Sequence, residues 1–414
     1  MGEGFGKTCE LFNCMLHVCA WLSPGAFLFA QKWFLPVEGR KVGWFMYEDT
    51  ATHNTYTVEE LMRRAIDLAE KGRGTTSPNP MVGALIVKDD RIIGEGFHKK
   101  AGNPHAEVNA LMASTEDVAG ATMVVSLEPC NHFGRTPPCT EAIINAGIKK
   151  VIVGMIDPNP QCAGSGIKQL RDAGIEVEHG VLADVVARQN EVFIKFITTG
   201  RPFIIVKAAM SLDGKIAAQE GKQTAITGEE ALRRAHELRN EYDAIMVGVG
   251  TARTDNPKLT TRLDIEDTRN PIRIIVDSRA KLPLDSNIVR TANDVQTILA
   301  TTAFAPRQNR EDLAARGIDV LKIDAWDGSV DLEMLLEELG ERHISSIMVE
   351  GGSKLIASFA RAGLVDKYML FVAPKLIGEQ GVDVIGDKLD AVRELRIERV
   401  ERLGEDILIE AYPR

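Results

Sequence analysis

His105-Ala106-Glu107, followed downstream by Glu128-Pro129-Cys130-Asn131-His132-Phe133-Gly134-Arg135-Thr136-Pro137-Pro138-Cys139, decides how the first half of this chain reads. One imidazole and two thiols are good zinc ligands, and three protein ligands leave a fourth position open, as catalytic rather than structural zinc does. Asn103-Pro104 is a good N-cap and first-turn pair, so His105 should start a helix. Pro137-Pro138 sets up Cys139 in the same way, and a thiol at a helix N-terminus ionises more easily. His105, Cys130 and Cys139 are therefore the candidate metal ligands. Zinc supplies an activated water at neutral pH, and Glu107 is the candidate catalytic residue that moves a proton from that water to a departing amine. Residues two apart do not share a helix face, so spacing alone does not bring His105 and Glu107 to one metal.

Working outward, a helix starts at Thr57 with Leu61, Met62, Ala65, Ile66 and Ala69 on one face, and Lys71-Gly72-Arg73-Gly74 ends it. A strand is expected over 81–88, a turn at Asp89-Asp90 and a second strand over 91–97. Helices over 104–113 and 140–146 alternate with strands over 121–127 and 151–155, which indicates a three-layer α/β domain reaching about Gly180. A connecting helix is expected over 181–200, with a boundary at the Thr-Thr-Gly-Arg-Pro run that follows it. The second domain is expected to have strands over 203–208, 244–249, 272–276, 296–300, 320–323, 346–349, 368–372 and 407–411. With helical patterns at 228–240 and 332–339, it is again α/β.

A chain of 414 residues suggests two or three domains, and 44% hydrophobic residues are ample for their cores. Lys plus Arg number 49 against 59 Asp plus Glu, a net charge of −10. That balance argues for a cytoplasmic protein and against a partner that is a nucleic acid or a membrane surface. Six cysteines in so long a chain are no disulfide framework, so a pair of them reads first as metal ligands. Residues 1–54 form an atypical extension holding Trp21, Trp33, Trp44, Cys9, Cys14 and Cys19. From Leu11 to Gln31 it has no Asp, Glu, Lys or Arg, which suits a membrane span, but Pro24-Gly25 interrupts it. Lys7 before the apolar run and Ala30 at its end suit a signal peptide. The composition of the remainder favours a plainer reading, in which 1–45 is dispensable and the working protein starts near Met46.

Taken together with Ser77-Pro78-Asn79-Pro80-Met81-Val82-Gly83 and Gly96-Phe97-His98, the motif resembles the riboflavin deaminase/reductase family. The wide spacing from Cys130 to Cys139 separates it from cytidine-type deaminases, whose second pair is Pro-Cys-x-x-Cys. The resemblance implies a cytidine-deaminase-like domain over 55–200 that removes the 2-amino group of 2,5-diamino-6-(5-phosphoribosylamino)pyrimidin-4-one. It also places Asn79 and His98 where they help hold the ring or the ribosyl phosphate, with His132, Arg135 and Thr136 in the loop between the cysteines as further candidates. Cys162 takes no role and reads as buried filler or a loop thiol.

No Gly-x-Gly-x-x-Gly opens a helix; Gly248-Val249-Gly250 comes nearest, with Arg253 at the third glycine's position. Residues 201–414 instead resemble the reductase half of the same family, whose fold is similar to dihydrofolate reductase. The resemblance rests on Lys207-Ala208-Ala209-Met210-Ser211-Leu212-Asp213-Gly214-Lys215, on residues 247–251 and 255–262, on Val276-Asp277-Ser278 and on Glu350-Gly351-Gly352. It implies that NADPH is touched by Ala209, Thr251, Asp255, Ser278, Gly352, Ser353, Lys354, Leu355, Ile356, Ala357 and Ser358. The substrate is then touched by Gln223, Arg239, Leu259, Arg262 and Glu350. Lys207, Asp255 and Glu350 stand open as proton-handling groups while the ribosyl chain is reduced to ribityl. The glycines after strands suit close approach of a phosphate, and the two arginines offer a planar fork to one.

One departure marks the chain. Where the family has Gly-x-Ser-x-Trp-Ile-Thr, residues 221–227 put Gln223 for the serine and Ala225 for the tryptophan. This opens an alternative: a deaminase with a degenerate reductase domain. Two further readings compete: an RNA-acting deaminase, which the acidic balance disfavours, and a binding protein whose structural zinc is closed by His132. The partner expected throughout is a small pyrimidine ribosyl phosphate, with homo-oligomerisation plausible. All expected zinc ligands precede Gly180 and all expected NADPH contacts follow Arg201, so neither site should need the other's residues.

Overall fold

The computed structural model describes residues 56–133, 137–160, 162–265 and 268–414. The extension 1–54, with its three readings, and the candidates Arg135 and Thr136 lie outside the described residues. The first helix, Val58–Glu70, is capped by Thr57, whose side chain accepts from the Glu60 amide while the Glu60 carboxylate accepts from the Thr57 amide. Strands β1 (Gly83–Lys88), β2 (Arg91–Phe97), β3 (Thr122–Leu127), β4 (Lys150–Met155) and β5 (Glu176–His179) form a sheet in the order β2-β1-β3-β4-β5. The hairpin pairs are antiparallel, whereas β3, β4 and β5 run parallel.

Alternation of side chains makes this domain three-layered. Leu85, Val124 and Ile152 pack under the helices Val58–Glu70 and Ala183–Gln189. Their neighbours Ala84, Ile86, Met123, Val125, Val151 and Val153 pack on the other face with Ala106, Ala110, Ile143, Ile167 and Leu170. The single connecting helix expected over 181–200 is in fact two, Ala183–Gln189 and Glu191–Thr199. The break is at Asn190, whose Oδ1 accepts from the Met81 amide at 2.8 Å and whose Nδ2 donates to the Met81 carbonyl at 3.0 Å. An asparagine that serves the backbone of a distant loop in this way leaves the helical path.

The second domain holds β6 (Phe203–Ser211), β7 (Lys215–Ala217), β8 (Ala244–Gly248), β9 (Ile272–Val276), β10 (Thr297–Thr301), β11 (Asp319–Lys322), β12 (Ala325–Trp326), β13 (Ser329–Val330), β14 (Ser346–Val349), β15 (Lys367–Ala373), β16 (Val382–Asp383), β17 (Leu395–Leu403) and β18 (Asp406–Pro413). Nine of them form one sheet, β11-β10-β9-β8-β14-β6-β15-β18-β17, while β12 pairs with β13 and β16 with β7. The sheet is parallel as far as β15 and antiparallel through β18 and β17. Ile205, Ile245, Ile275 and Leu299 face one core with Leu238, and Ile204, Met246, Ile274 and Ile298 face the other with Leu335 and Phe359. β17 escaped the sequence reading because it is an edge strand bearing Arg396, Glu398, Arg399, Glu401 and Arg402, mostly exposed.

The two domains touch through charged groups. Lys195 reaches Asp366 at 2.5 Å, and Glu191 accepts from Lys367 at 3.1 Å and from the Tyr412 hydroxyl at 2.7 Å. No helix among the described residues is long and apolar enough to cross a membrane.

Candidate active sites

Cys139 opens the helix Cys139–Asn145 behind Pro138, as expected, and a helix does start at His105; but His105 is itself the N-cap of Ala106–Met112, so Asn103-Pro104 lies outside the helix and supplies neither its cap nor its first turn. Cys130 lies just beyond β3. His105 Nδ1 is 3.2 Å from Cys139 Sγ and 3.5 Å from Cys130 Sγ, and the three ligand atoms lie within 4.8 Å of one another. Tetrahedral zinc with bonds of about 2.3 Å to sulfur and about 2.0 Å to nitrogen sets such atoms about 3.6 Å apart, so the donors fit the ion. Because His105 caps the helix while Glu107 sits in its first turn, the two need not share a face to meet at one site.

Glu107 is 3% exposed, and burial, reinforced by the Cys130 thiolate, pushes its carboxyl up to about 7. Hydrogen bonding with the Cys139 thiol, aided by His105, holds Cys130 down at about 4. Cys139 is pushed up because it supplies that shared proton, and a metal between the two sulfurs replaces the proton and leaves both as thiolates.

His132 is not a fourth ligand. Its Nδ1 lies 3.3 Å from the sulfur of buried Cys162, and the metal-ligating group among the described residues comprises His105, Cys130 and Cys139 alone. The structural-zinc reading thus loses its closing ligand. His98 also differs from expectation. It is 2% exposed and uses both ring nitrogens on protein, Nδ1 at 3.2 Å from the Pro104 carbonyl and Nε2 at 3.1 Å from Asn79 Nδ2. Burial lowers its pKa, consistent with a neutral ring that donates to Pro104 and accepts from Asn79. Its ring meets that of His105 edge-on at 5.2 Å. Of the pair, Asn79 is left with its amide oxygen to offer.

Glu128, quoted in the motif but given no role, accepts four backbone N–H groups: Asp157 and Gly164 on Oε2, Gly166 and Ile167 on Oε1. It pins the loop that carries Cys162 beneath Pro129-Cys130. A glutamate directly before Pro-Cys was a legible hint, but its partners lie 29 to 39 residues away.

In the second domain a cavity of 1190 Å³ opens at the ends of β6, β8, β9 and β14. Lys207, Ala209, Gln223, Thr251, Asp255, Ser278, Glu350, Gly352, Ser353, Lys354, Leu355, Ile356 and Ser358 all line it. Gly352, with φ of 79°, could carry no side chain cheaply, since a Cβ would lie 3.1 Å from Thr251 Oγ1. Ala357 is fully buried behind this wall, and Ala225 is exposed just beyond it, its carbonyl 3.2 Å from Lys375 Nζ.

The expected substrate arginines are placed otherwise. Arg239 lies beneath the floor and holds Glu350 with both arms of its fork, Nη2 to Oε2 at 2.6 Å and Nε to Oε1 at 3.0 Å, with Nη1 to the Thr260 carbonyl at 3.2 Å. That guanidinium is committed, so it is not an open phosphate fork. Arg262 is exposed outside the cavity, and its amide donates to His236 Nδ1 at 3.3 Å. Leu259 is a core residue, 3% exposed, with φ of 53°. Lys207 lies 3.9 Å from Glu350, and burial lowers its pKa, with Arg239 adding to the effect. Burial alone would raise Glu350, but Arg239 and Lys207 together bring it below the usual range. Trp326, which the sequence reading passed over, stands 75% exposed on the β12–β13 hairpin and lines the cavity.

Site and fold together define a two-domain enzyme, a zinc-dependent deaminase followed by a reductase. Residues 55–155 match the cytidine and deoxycytidylate deaminase zinc-binding region, and residues 202–409 match the RibD C-terminal domain. The chain belongs to the RibD family of riboflavin-biosynthesis proteins. It is 45% identical over 361 residues to riboflavin biosynthesis protein RibD of Actinobacillus pleuropneumoniae, covering 86% of this chain and 95% of that one. Identity to RibD of Escherichia coli (strain K12) is 39% over 366 residues, covering 85% and 98%. Among solved structures it is similar to Acinetobacter baumannii RibD, form 1, with TM-score 0.78 and 38% identity over 86% of this chain and 99% of that one. A diaminohydroxyphosphoribosylaminopyrimidine deaminase/5-amino-6-(5-phosphoribosylamino)uracil reductase from Thermotoga maritima gives TM-score 0.76 and 38% identity, covering 87% and 99%. The chain is thus bifunctional, and the reading as a deaminase alone is not favoured.

Proposed function

We propose that residues 55–200 deaminate 2,5-diamino-6-(5-phosphoribosylamino)pyrimidin-4-one at its 2-amino group, and that residues 201–414 then reduce the ribosyl chain to ribityl with NADPH. The observation that carries the first half is the convergence of His105, Cys130 and Cys139 beside buried Glu107. Zinc, when bound by those three donors, supplies a water acidified to about pKa 7 at its open position. Glu107 would shuttle two protons in turn, the first from the attacking water to the ring nitrogen and the second from the hydroxyl added to the ring carbon to the departing amine, which leaves as ammonia while that carbon becomes a carbonyl. Asn79, oriented by His98, offers an amide to the pyrimidine.

For the second half, the walls around Thr251 and Gly352 receive the cofactor pyrophosphate on backbone N–H groups. NADPH supplies a hydride to the ribose C1′. Lys207, Asp255 and Glu350 line the same cavity, which supports them as the groups that handle the proton as the sugar opens. The indole missing at Ala225 has a substitute in Trp326, whose exposed face suits stacking on a cofactor ring. The acidic charge balance supports a cytoplasmic enzyme with a small-molecule substrate rather than a nucleic acid or membrane partner, as a homo-oligomer or alone. The test is purified protein with the diaminopyrimidine substrate, following ammonia release and NADPH oxidation separately. Both should occur; ammonia without NADPH oxidation would reduce the function to deamination, and neither would overturn the reading.

A further inference from the structure

The loop that carries Asn79 joins the first helix to β1, and its contacts run into the other domain. Ser77 Oγ donates to Asp243 Oδ2 at 2.7 Å and lies 3.0 Å from Ser345 Oγ. Ser345 gives the same carboxylate oxygen both its hydroxyl, at 2.6 Å, and its amide, at 3.0 Å. The other oxygen faces Arg269 Nη1 at 3.4 Å, and the Asp243 side chain is only 10% exposed. Asp243 lies between the helix Glu229–Glu241 and β8, and Ser345 directly precedes β14, so both belong to the reductase domain.

Two further contacts fix the same loop. Gly74, with φ of 76°, sits so near the end of that helix that a Cβ would lie 2.8 Å from the Asn240 carbonyl. At the other end Met81 is held through both its backbone groups by Asn190. Between these anchors stands Asn79, bonded to His98, which packs on the zinc ligand His105. Among the described residues, none of the hydrogen bonds made by the side chains of His105, Glu107, Cys130 or Cys139 reaches the reductase domain.

We infer that Asp243, on the reductase domain, is a positioning residue for deamination: through Ser77 it sets the Asn79–His98 pair against the zinc site. The inference rests on Asn79 touching the pyrimidine. It revises the expectation that neither site needs the other's residues, because the zinc ligands are all local while the loop beside them is held from across the domain boundary. Physically, a mostly buried carboxylate accepting four hydrogen bonds is a stiff anchor. A loop released at one end samples many positions, and binding must then supply the ordering entropy.

The consequence is a split between binding and chemistry. In Asp243→Ala the deaminase KM should rise about tenfold, while zinc content stays at one per chain and kcat changes less than twofold. Asp243→Asn, which keeps an acceptor oxygen, should recover part of the loss, and KM for NADPH should be unchanged. Ser77→Ala leaves Asp243 its contacts to Ser345 and Arg269 and should raise the deaminase KM several-fold, so it decides the matter if Asp243→Ala does not fold. Asn79→Ala separates the inference from the reading beneath it. If Asn79→Ala raises KM and neither Asp243→Ala nor Ser77→Ala does, the anchor is refuted and the role of Asn79 survives. If the Asp243 and Ser77 variants raise KM and Asn79→Ala does not, Asn79 is not a substrate contact and the inference falls together with the reading beneath it. A fall in zinc content or kcat equal to the change in KM would make Asp243 merely structural.

Discussion

Replacing Arg239 by leucine tests the buried charge cluster under the reductase cavity. The substitution keeps an apolar stem but removes both bonds to Glu350 and the bond to Thr260. Glu350 has an 8% exposed side chain and would be left facing only Lys207 at 3.9 Å, too far for a hydrogen bond. Breaking a buried ion pair by removing one partner costs ~3–5 kcal/mol, because a charge is left uncompensated. At an effective dielectric constant of about 20, the remaining attraction to Lys207 is worth ~4 kcal/mol before desolvation is subtracted. It therefore tempers the loss without cancelling it. The expected destabilisation is ~3 kcal/mol, at the lower end of that range. Arg239→Lys, which keeps charge but loses the fork, should cost ~1–2 kcal/mol. Urea unfolding followed by circular dichroism measures both, with ammonia release as a control that the deaminase domain remains intact. Reductase kcat/KM should fall more than tenfold in Arg239→Leu, since Glu350 forms part of the cavity lining and loses its support. An Arg239→Leu protein within ~0.5 kcal/mol of the parent would mean that Glu350 is proton-bearing or solvated, and the charge assignment would be wrong.

Three other outcomes are expected. Glu107→Gln should retain zinc by metal analysis yet lose ~10²–10⁴-fold in deamination, while Cys139→Ser should lose much of the metal; zinc lost from the glutamine variant would move Glu107 into the ligand set. His236, 4% exposed, is pressed down to about 4 by burial and by the neighbouring Arg239 and Arg262, from 6.5 when unfolded. The unfolded chain thus binds more protons between those values, so this histidine's contribution is complete above pH 6.5 and lost as pH falls towards 4. Its size is ~2–3 kcal/mol, and the difference in unfolding free energy between parent and His236→Gln should change by that amount across the window; a flat difference would refute the burial argument. Ala225→Trp should tighten NADPH binding about fivefold, the equivalent of ~1 kcal/mol of stacking, and Trp326→Ala should weaken it comparably. Direct titration decides both, and no binding by any form would leave the C-terminal half a degenerate reductase.

Much of the deaminase site was legible because its signals are local. Pro137-Pro138 before Cys139 and the helix starts read at His105 and Thr57 each depend on residues within about one helical turn. The strands were likewise read from local apolar runs, and alternation along them accounts for the observed placing of Leu85, Val124 and Ile152 on one face. The reductase wall was reached through resemblance, since glycines after strands could equally have been tight turns.

What tertiary structure alone decided are the partners of polar side chains, whose choice depends on what folding brings within 3 Å. Family resemblance offered Arg239 as a fork for the substrate phosphate; in the fold Glu350, 111 residues on, holds its guanidinium. His132 turns to Cys162, thirty residues away, and not to the metal. Asn190 ends a helix that periodicity would have continued, because Met81, 109 residues earlier, needs its amide. Ser77 meets Asp243 across 166 residues, and no local pattern distinguishes that aspartate from any other at a helix end. Caps and alternation are properties of a few neighbouring residues, so the sequence by itself determined the α/β elements, the domain order and the candidate ligands His105, Cys130 and Cys139, whose convergence beside Glu107 the fold supplies. Buried charges and hydrogen bonds are satisfied by whichever group the packed chain delivers, and only the assembled fold determined that the reductase domain holds the deaminase loop.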